Sequence, residues 1–122
     1  MKSLRVLLLS VIPLLTINAS VKAEVAEIRN PSWQLVPNSI GAEVYVNTNG
    51  LIRNGNLVTY DIINDDASYT RLQANCTTNQ YRSLRQGDFV SASRVSFVST
   101  NSPWNRASKS LDYSLINFVC SR

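Results

Sequence analysis

The sequence predicts an α+β fold: an antiparallel sheet of about six short strands, one C-terminal helix packed on a face, and a single disulfide. Three observations predict it. In the runs Ala42 to Asn47, Asn56 to Ile63 and Ser68 to Thr77 apolar residues recur at every second position, which is the period of half-buried strands. The runs are joined by tight, turn-forming stretches, so sequence neighbours pair antiparallel. Near the end the period changes: Leu111, Leu115, Phe118 and Val119 fall on one side of a helix that closes at Cys120.

The first 23 residues read as a leader. Lys2 and Arg5 start it, Val6 to Ile17 is an apolar run of 12 residues, and Val21-Lys22-Ala23 supplies small residues for cleavage. The run is shorter than the roughly 20 residues a membrane span needs. The remaining chain, 24–122, is expected to be one soluble exported domain with no membrane span. Losing Lys2, Arg5 and Lys22 lowers the formal net charge from +4 to +1, so the basic balance gives no support to nucleic-acid binding.

Glu24 to Asn30 reads as a loose lead-in. Pro31 sets up an extended run from Ser32 to Val36, in which Trp33 and Leu35 share a face, and Pro37-Asn38-Ser39 reads as a turn. From Ala42 to Asn47, Ala42, Val44 and Val46 point inward while Glu43, Tyr45 and Asn47 point outward. Leu51-Ile52-Arg53 is a short extended crossing between the turn-forming pairs Asn49-Gly50 and Asn54-Gly55. In Asn56 to Ile63 the inner face is Val58, Tyr60 and Ile62, with Thr59 and Asp61 outside. Asn64-Asp65-Asp66 is a turn. Ser68 to Thr77 places Leu72, Ala74 and Cys76 inward and Tyr69, Arg71 and Gln73 outward.

The parity of Gln80 to Arg85 is open, because Tyr81 and Leu84 cannot both point inward without a bulge. Gln86-Gly87-Asp88 is expected to turn the chain. Phe89 to Val98 is expected as the last strand, with Phe89, Val95 and Phe97 inward and Arg94 outward. Thr100 to Pro103 is a loop, and Ser108 or Ser110 is expected to cap the helix.

Two cysteines in an exported chain most simply pair, so Cys76–Cys120 is the expected disulfide. The alternative is an intermolecular bridge in a homodimer. The absence of histidine excludes Ser-His and Cys-His nucleophiles and His-ligated metal sites. A carboxylate group of Asp61, Asp65 and Asp66 is the remaining route to acid–base work or calcium binding, against the simpler reading of a turn. No catalytic residue, metal ligand or cofactor is assigned. Trp33 and Trp104 sit at element boundaries among apolar neighbours, where packing is the default.

The order Trp33, Leu51-Ile52-Arg53, Asn54-Gly55, Val58-Thr59-Tyr60, Asn75-Cys76, Tyr81-Arg82, Pro103-Trp104, Ser110 and Phe118-Val119-Cys120 resembles the surface-adhesin protein E family of small exported bacterial proteins. The resemblance spans nearly all of 24–122. It implies a sheet of about six strands with a C-terminal helix. It also implies a non-enzymatic envelope or surface protein that binds other proteins without a cofactor. Asn75, Gly50 and the run Ala107 to Ser110 depart from the family's usual pattern.

If the helix covers one sheet face, the other is open. By parity it carries Tyr45, Tyr69, Arg71 and Arg94, the candidate binding residues, together with Glu43, Thr59 and Gln73. The expected function is an exported protein-binding or adhesion module in the periplasm or at the cell surface, with extracellular or envelope proteins as partners. The alternative is an accessory periplasmic protein that forms a homodimer.

Overall fold

The computed structural model describes residues 22–37 and 41–122. Most of the predicted leader, and Asn38 and Ser39 of the first predicted turn, lie outside them. No helix among the described residues is long and apolar enough to cross a membrane.

The fold is a mostly antiparallel sheet with one C-terminal helix and one disulfide. Among the described residues the sheet has nine strands rather than about six. They are β1 (Glu24–Glu27), β2 (Trp33–Leu35), β3 (Tyr45–Asn47), β4 (Ile52–Asn54), β5 (Leu57–Ile63), β6 (Tyr69–Asn75), β7 (Gln80–Ser91), β8 (Arg94–Ser99) and β9 (Asn105–Arg106), followed by α1 (Ser110–Cys120). The additional strands are short. β1 replaces the expected loose lead-in, because Glu24–Glu27 finds backbone partners along β8 despite its polar composition. β4 is the expected crossing, now paired with β5, and β9 has two residues, too few to show a period.

The order along the sheet is β1-β8-β7-β6-β5-β3-β2, with β4 also on β5 and β9 also on β7. The end strands β1 and β2 are joined only by residues 28–32. Six Cα steps reach at most about 21 Å. A flat path of seven strands is about 29 Å wide at ~4.8 Å per spacing. The sheet must therefore curl until its two edges approach across one face. Ile28 N–H donates to the Ser93 carbonyl (2.7 Å), and the Ser32 carbonyl accepts from Thr48 N–H (2.8 Å), pinning the link at both ends. The buried Asn47 side chain accepts from Ser32 N–H (2.8 Å) and Asn49 N–H (3.2 Å).

Two departures in β7 have a physical cause. The expected turn at Gln86-Gly87-Asp88 is straight strand, and the chain reverses instead between Ser91 and Arg94. Gly87 is there because β8 passes too close for a side chain: a Cβ would sit 1.8 Å from the Ser96 carbonyl oxygen. The expected last strand is thus the end of β7 plus β8. Opposite Arg71 and Leu72 the register skips one residue, Leu84, which is the bulge that the parity of Tyr81 and Leu84 required.

The main core lies between α1 and the sheet. It joins Val44, Val46, Val58, Tyr60, Ile62, Leu72 and Ala74 to Leu115, Ile116, Phe118 and Val119. Burying a side chain of this size contributes ~1.5–3 kcal/mol. A second core lies on the opposite face, where Ile28, Tyr69, Val95 and Phe97 pack with Trp33 and Phe89. Phe89, Val95 and Phe97 are thus inward as expected, but under the β1–β2 link and not under the helix.

The helix is fastened at both ends. Asp112 Oδ2 accepts from Ser108 N–H and Lys109 N–H, both at 3.0 Å. Neither expected serine caps it: Ser110 is already the first helical residue, and Asp112 reaches back in its place. At the other end Arg53 Nη2 donates to the carbonyls of Val119 (3.3 Å), Cys120 (3.2 Å) and Arg122 (3.1 Å). A cation suits the negative end of the helix. Cys76–Cys120 then ties α1 to the end of β6 across 44 residues. The chain-entropy model assigns such a loop about 4 kcal/mol.

Candidate functional site: the uncovered half of the second sheet face

The second face divides into a covered half and an uncovered half. The covered half, toward the β5–β6 turn, lies beneath the β1–β2 link. Tyr69 is 1% exposed there, and Phe89 meets the rings of Trp33 and Tyr69 edge-on at 5.6 and 5.7 Å. Tyr69 O–H donates to Asp61 Oδ1 (2.7 Å). Arg71 grips the same carboxylate with Nε on Oδ1 (2.9 Å) and Nη2 on Oδ2 (3.1 Å). Burial, and then the Asp61 charge, push the Tyr69 hydroxyl up to about 12.

The expected binding residues therefore do not form one exposed patch. Tyr69 points to the expected face, but the β1–β2 link buries it. Arg71 keeps a quarter of its side chain exposed, with its guanidinium committed to Asp61. Tyr45 is half-buried on β3. Arg94 is exposed on β8, two strands from β6 and opposite Glu27. The three aspartates also separate. Asp61 is buried with Arg71, Asp65 accepts from Glu43 N–H, and Asp66 accepts from Ser68 N–H and Oγ–H within the turn. Among the described residues no group of three His, Cys, Asp or Glu side chains could hold a metal ion.

The uncovered half, toward the β6–β7 turn, presents one ordered row. Cross-strand pairing sets Ile52, Thr59, Gln73 and Arg82 side by side on β4, β5, β6 and β7. Directly opposed residues on neighbouring strands put their side chains on the same face, within reach of each other. Gln73 Nε2 donates to Thr59 Oγ1 (3.3 Å), and Arg82 Nε donates to Gln73 Oε1 (3.0 Å). The Arg82 guanidinium lies 4.9 Å from the centre of the Trp104 ring, in cation–π contact. Ile52, 56% exposed, ends the row on the far side.

The next row on this face carries Asn54, Leu57, Asn75, Gln80 and Arg106. Neither row contains a carboxylate, so the half-face is cationic. Thr59 and Gln73 were legible as outward residues. Arg82 and Trp104 were not. The Leu84 bulge obscured the parity of β7, and Trp104 precedes a strand of only two residues. The one usable signal was that Tyr81 and Leu84 demanded a bulge, which with Tyr81 inward puts Arg82 outward.

Comparison with protein-family models, with curated proteins and with solved structures finds no match to this chain. Fold and site together define a small disulfide-closed α+β domain with a polar, aromatic-edged sheet face.

Proposed function

We propose that the chain is an exported, non-enzymatic module of the bacterial cell envelope that binds other proteins through the uncovered half of its second sheet face. The observation that carries this reading is the row Ile52–Thr59–Gln73–Arg82–Trp104. From Thr59 to Trp104 its side chains are already held by one another, so less side-chain freedom is lost on contact. Arginine and tryptophan are the residue types that dominate contact energies at protein interfaces. The cationic half-face fits a partner segment that is acidic and carries an apolar anchor. The disulfide suits an oxidising compartment, which supports export. The resemblance to the surface-adhesin protein E family points the same way.

Two experiments test it in the producing cell. Protease treatment of intact cells, compared with lysed cells, reads the location. A photo-crosslinking residue in place of Gln73 reads the contact. Adducts to another envelope or extracellular protein through an acid-rich segment are expected. Adducts only to a second copy of the chain favour the accessory, dimeric reading. A protein that forms no adduct, or is retained in the cytoplasm, contradicts the proposal.

A further inference from the structure

On the other side of the sheet, between α1 and strands β5 to β7, lies a cleft of about 260 Å³. Ile62, Leu72, Leu111 and Leu115 give it apolar walls. Tyr60, Tyr81 and Asp112 are among the polar side chains that also line it, with Asn64, Thr70, Ser83 and Gln86. It has a way in: Val44, Asn64, Thr70, Gln86 and Leu111 also line an outer depression of about 560 Å³ beside the β5–β6 turn.

Tyr60 distinguishes this cleft from a packing defect. The residue is 1% exposed and lines the cleft. Among the described residues its hydroxyl has no hydrogen-bond partner. A buried hydroxyl left unpaired costs about 1–3 kcal/mol, and phenylalanine would fill the same space without that cost. Asp112 stands near it: Oδ2 accepts from Ser108 N–H and Lys109 N–H at the helix start, and the carboxylate also takes a hydrogen bond from the Tyr81 hydroxyl.

We propose that this cleft binds a small apolar molecule bearing one hydroxyl group, an aryl or branched-alkyl alcohol. An apolar cavity of about 150 Å³ accepts benzene, so this one takes roughly ten heavy atoms. A hydroxyl suits the two polar groups together. It accepts from Tyr60 O–H and donates to the Asp112 carboxylate, which has room for a further donor beside Tyr81. A carboxylate would be repelled by Asp112, and a hydrocarbon would leave Tyr60 unpaired. The site lies on the opposite face from the Arg82 row, so it does not depend on that row's role.

The test uses the disulfide-bonded chain with methyl-labelled Ile and Leu, titrated with 2-phenylethanol and, separately, with ethylbenzene, and followed by NMR. Saturable shifts at Ile62, Leu72, Leu111 and Leu115 are expected, with 2-phenylethanol about fivefold the tighter. Tyr60→Phe should erase that preference while ethylbenzene binding stays. Leu111→Trp, at the mouth, should exclude both probes. The absence of saturable shifts with either probe overturns the site. Equal affinities that Tyr60→Phe leaves unchanged overturn the recognition of a hydroxyl.

Discussion

Arg71 grips Asp61 with two parallel hydrogen bonds, at 2.9 and 3.1 Å, beneath the link that draws the two sheet edges together. The carboxylate is almost wholly buried and also accepts from Tyr69. Removing it leaves a partly buried guanidinium and a buried hydroxyl unpaired. Breaking a buried pair costs about 3–5 kcal/mol, and the exposed quarter of Arg71 puts this case at the low end. Asp61→Ala should therefore lose about 3 kcal/mol in urea unfolding. A loss below about 1 kcal/mol would show that the pair does not anchor the covered half.

Alkaline pH should weaken the fold through its buried tyrosines. Tyr69 is pushed up to about 12 by burial and then by Asp61. Tyr60 is also raised, by burial first and then by Asp112 and Tyr81. Unfolded tyrosines ionise near pH 10. Between pH 10 and 12 the unfolded chain therefore holds fewer protons than the folded one, and stability falls as pH rises. The loss should be about 1 kcal/mol per shifted tyrosine between pH 10 and 11. Urea midpoints across that range check it, and Tyr60→Phe with Tyr69→Phe should flatten the slope. Midpoints that hold or rise through pH 11 would contradict it.

Gly87→Ala should be among the most damaging single changes. The added carbon would meet the β8 backbone 1.8 Å away, where no flexible side chain can give way. A loss of at least about 2 kcal/mol, or failure to fold, is expected. A variant with an unchanged melting curve would mean that β7 and β8 do not pair in this register.

The start of α1 separates two accounts of its cap. Asp112→Ala removes the acceptor of two backbone N–H groups and should lose about 1 kcal/mol. Ser108→Ala and Ser110→Ala should each stay within about 0.5 kcal/mol of the parent. Urea midpoints of the three variants decide it. The reverse ranking would restore a serine cap.

The sheet's inner face and the helix were legible because their residues follow clean periods. Val58, Tyr60 and Ile62, then Leu72 and Ala74, alternate without interruption, and Leu115 and Val119 recur at helical spacing. The covering of the second face was not legible. Tyr69 points outward by parity, and local sequence does not show that residues 28–32 cross over it. That follows only once β1 and β2 are known to be opposite edges. Gly87 misled for a related reason: its composition reads as a turn, while its cause is a neighbouring backbone distant in sequence. The binding row was half legible. Thr59 and Gln73 lie on regular strands, whereas Arg82 follows a long turn and precedes the bulge.

The most direct test of the proposed function is an array of peptides graded in net charge, with and without an aromatic or branched apolar residue, probed with the parent chain and with Arg82→Glu plus Trp104→Ala. Acidic peptides with an apolar anchor are expected to retain the parent at least about tenfold more than the variant, whose stability in urea stays within about 0.5 kcal/mol of the parent. Retention that ignores peptide charge, or that is the same for parent and variant, would contradict binding through this face.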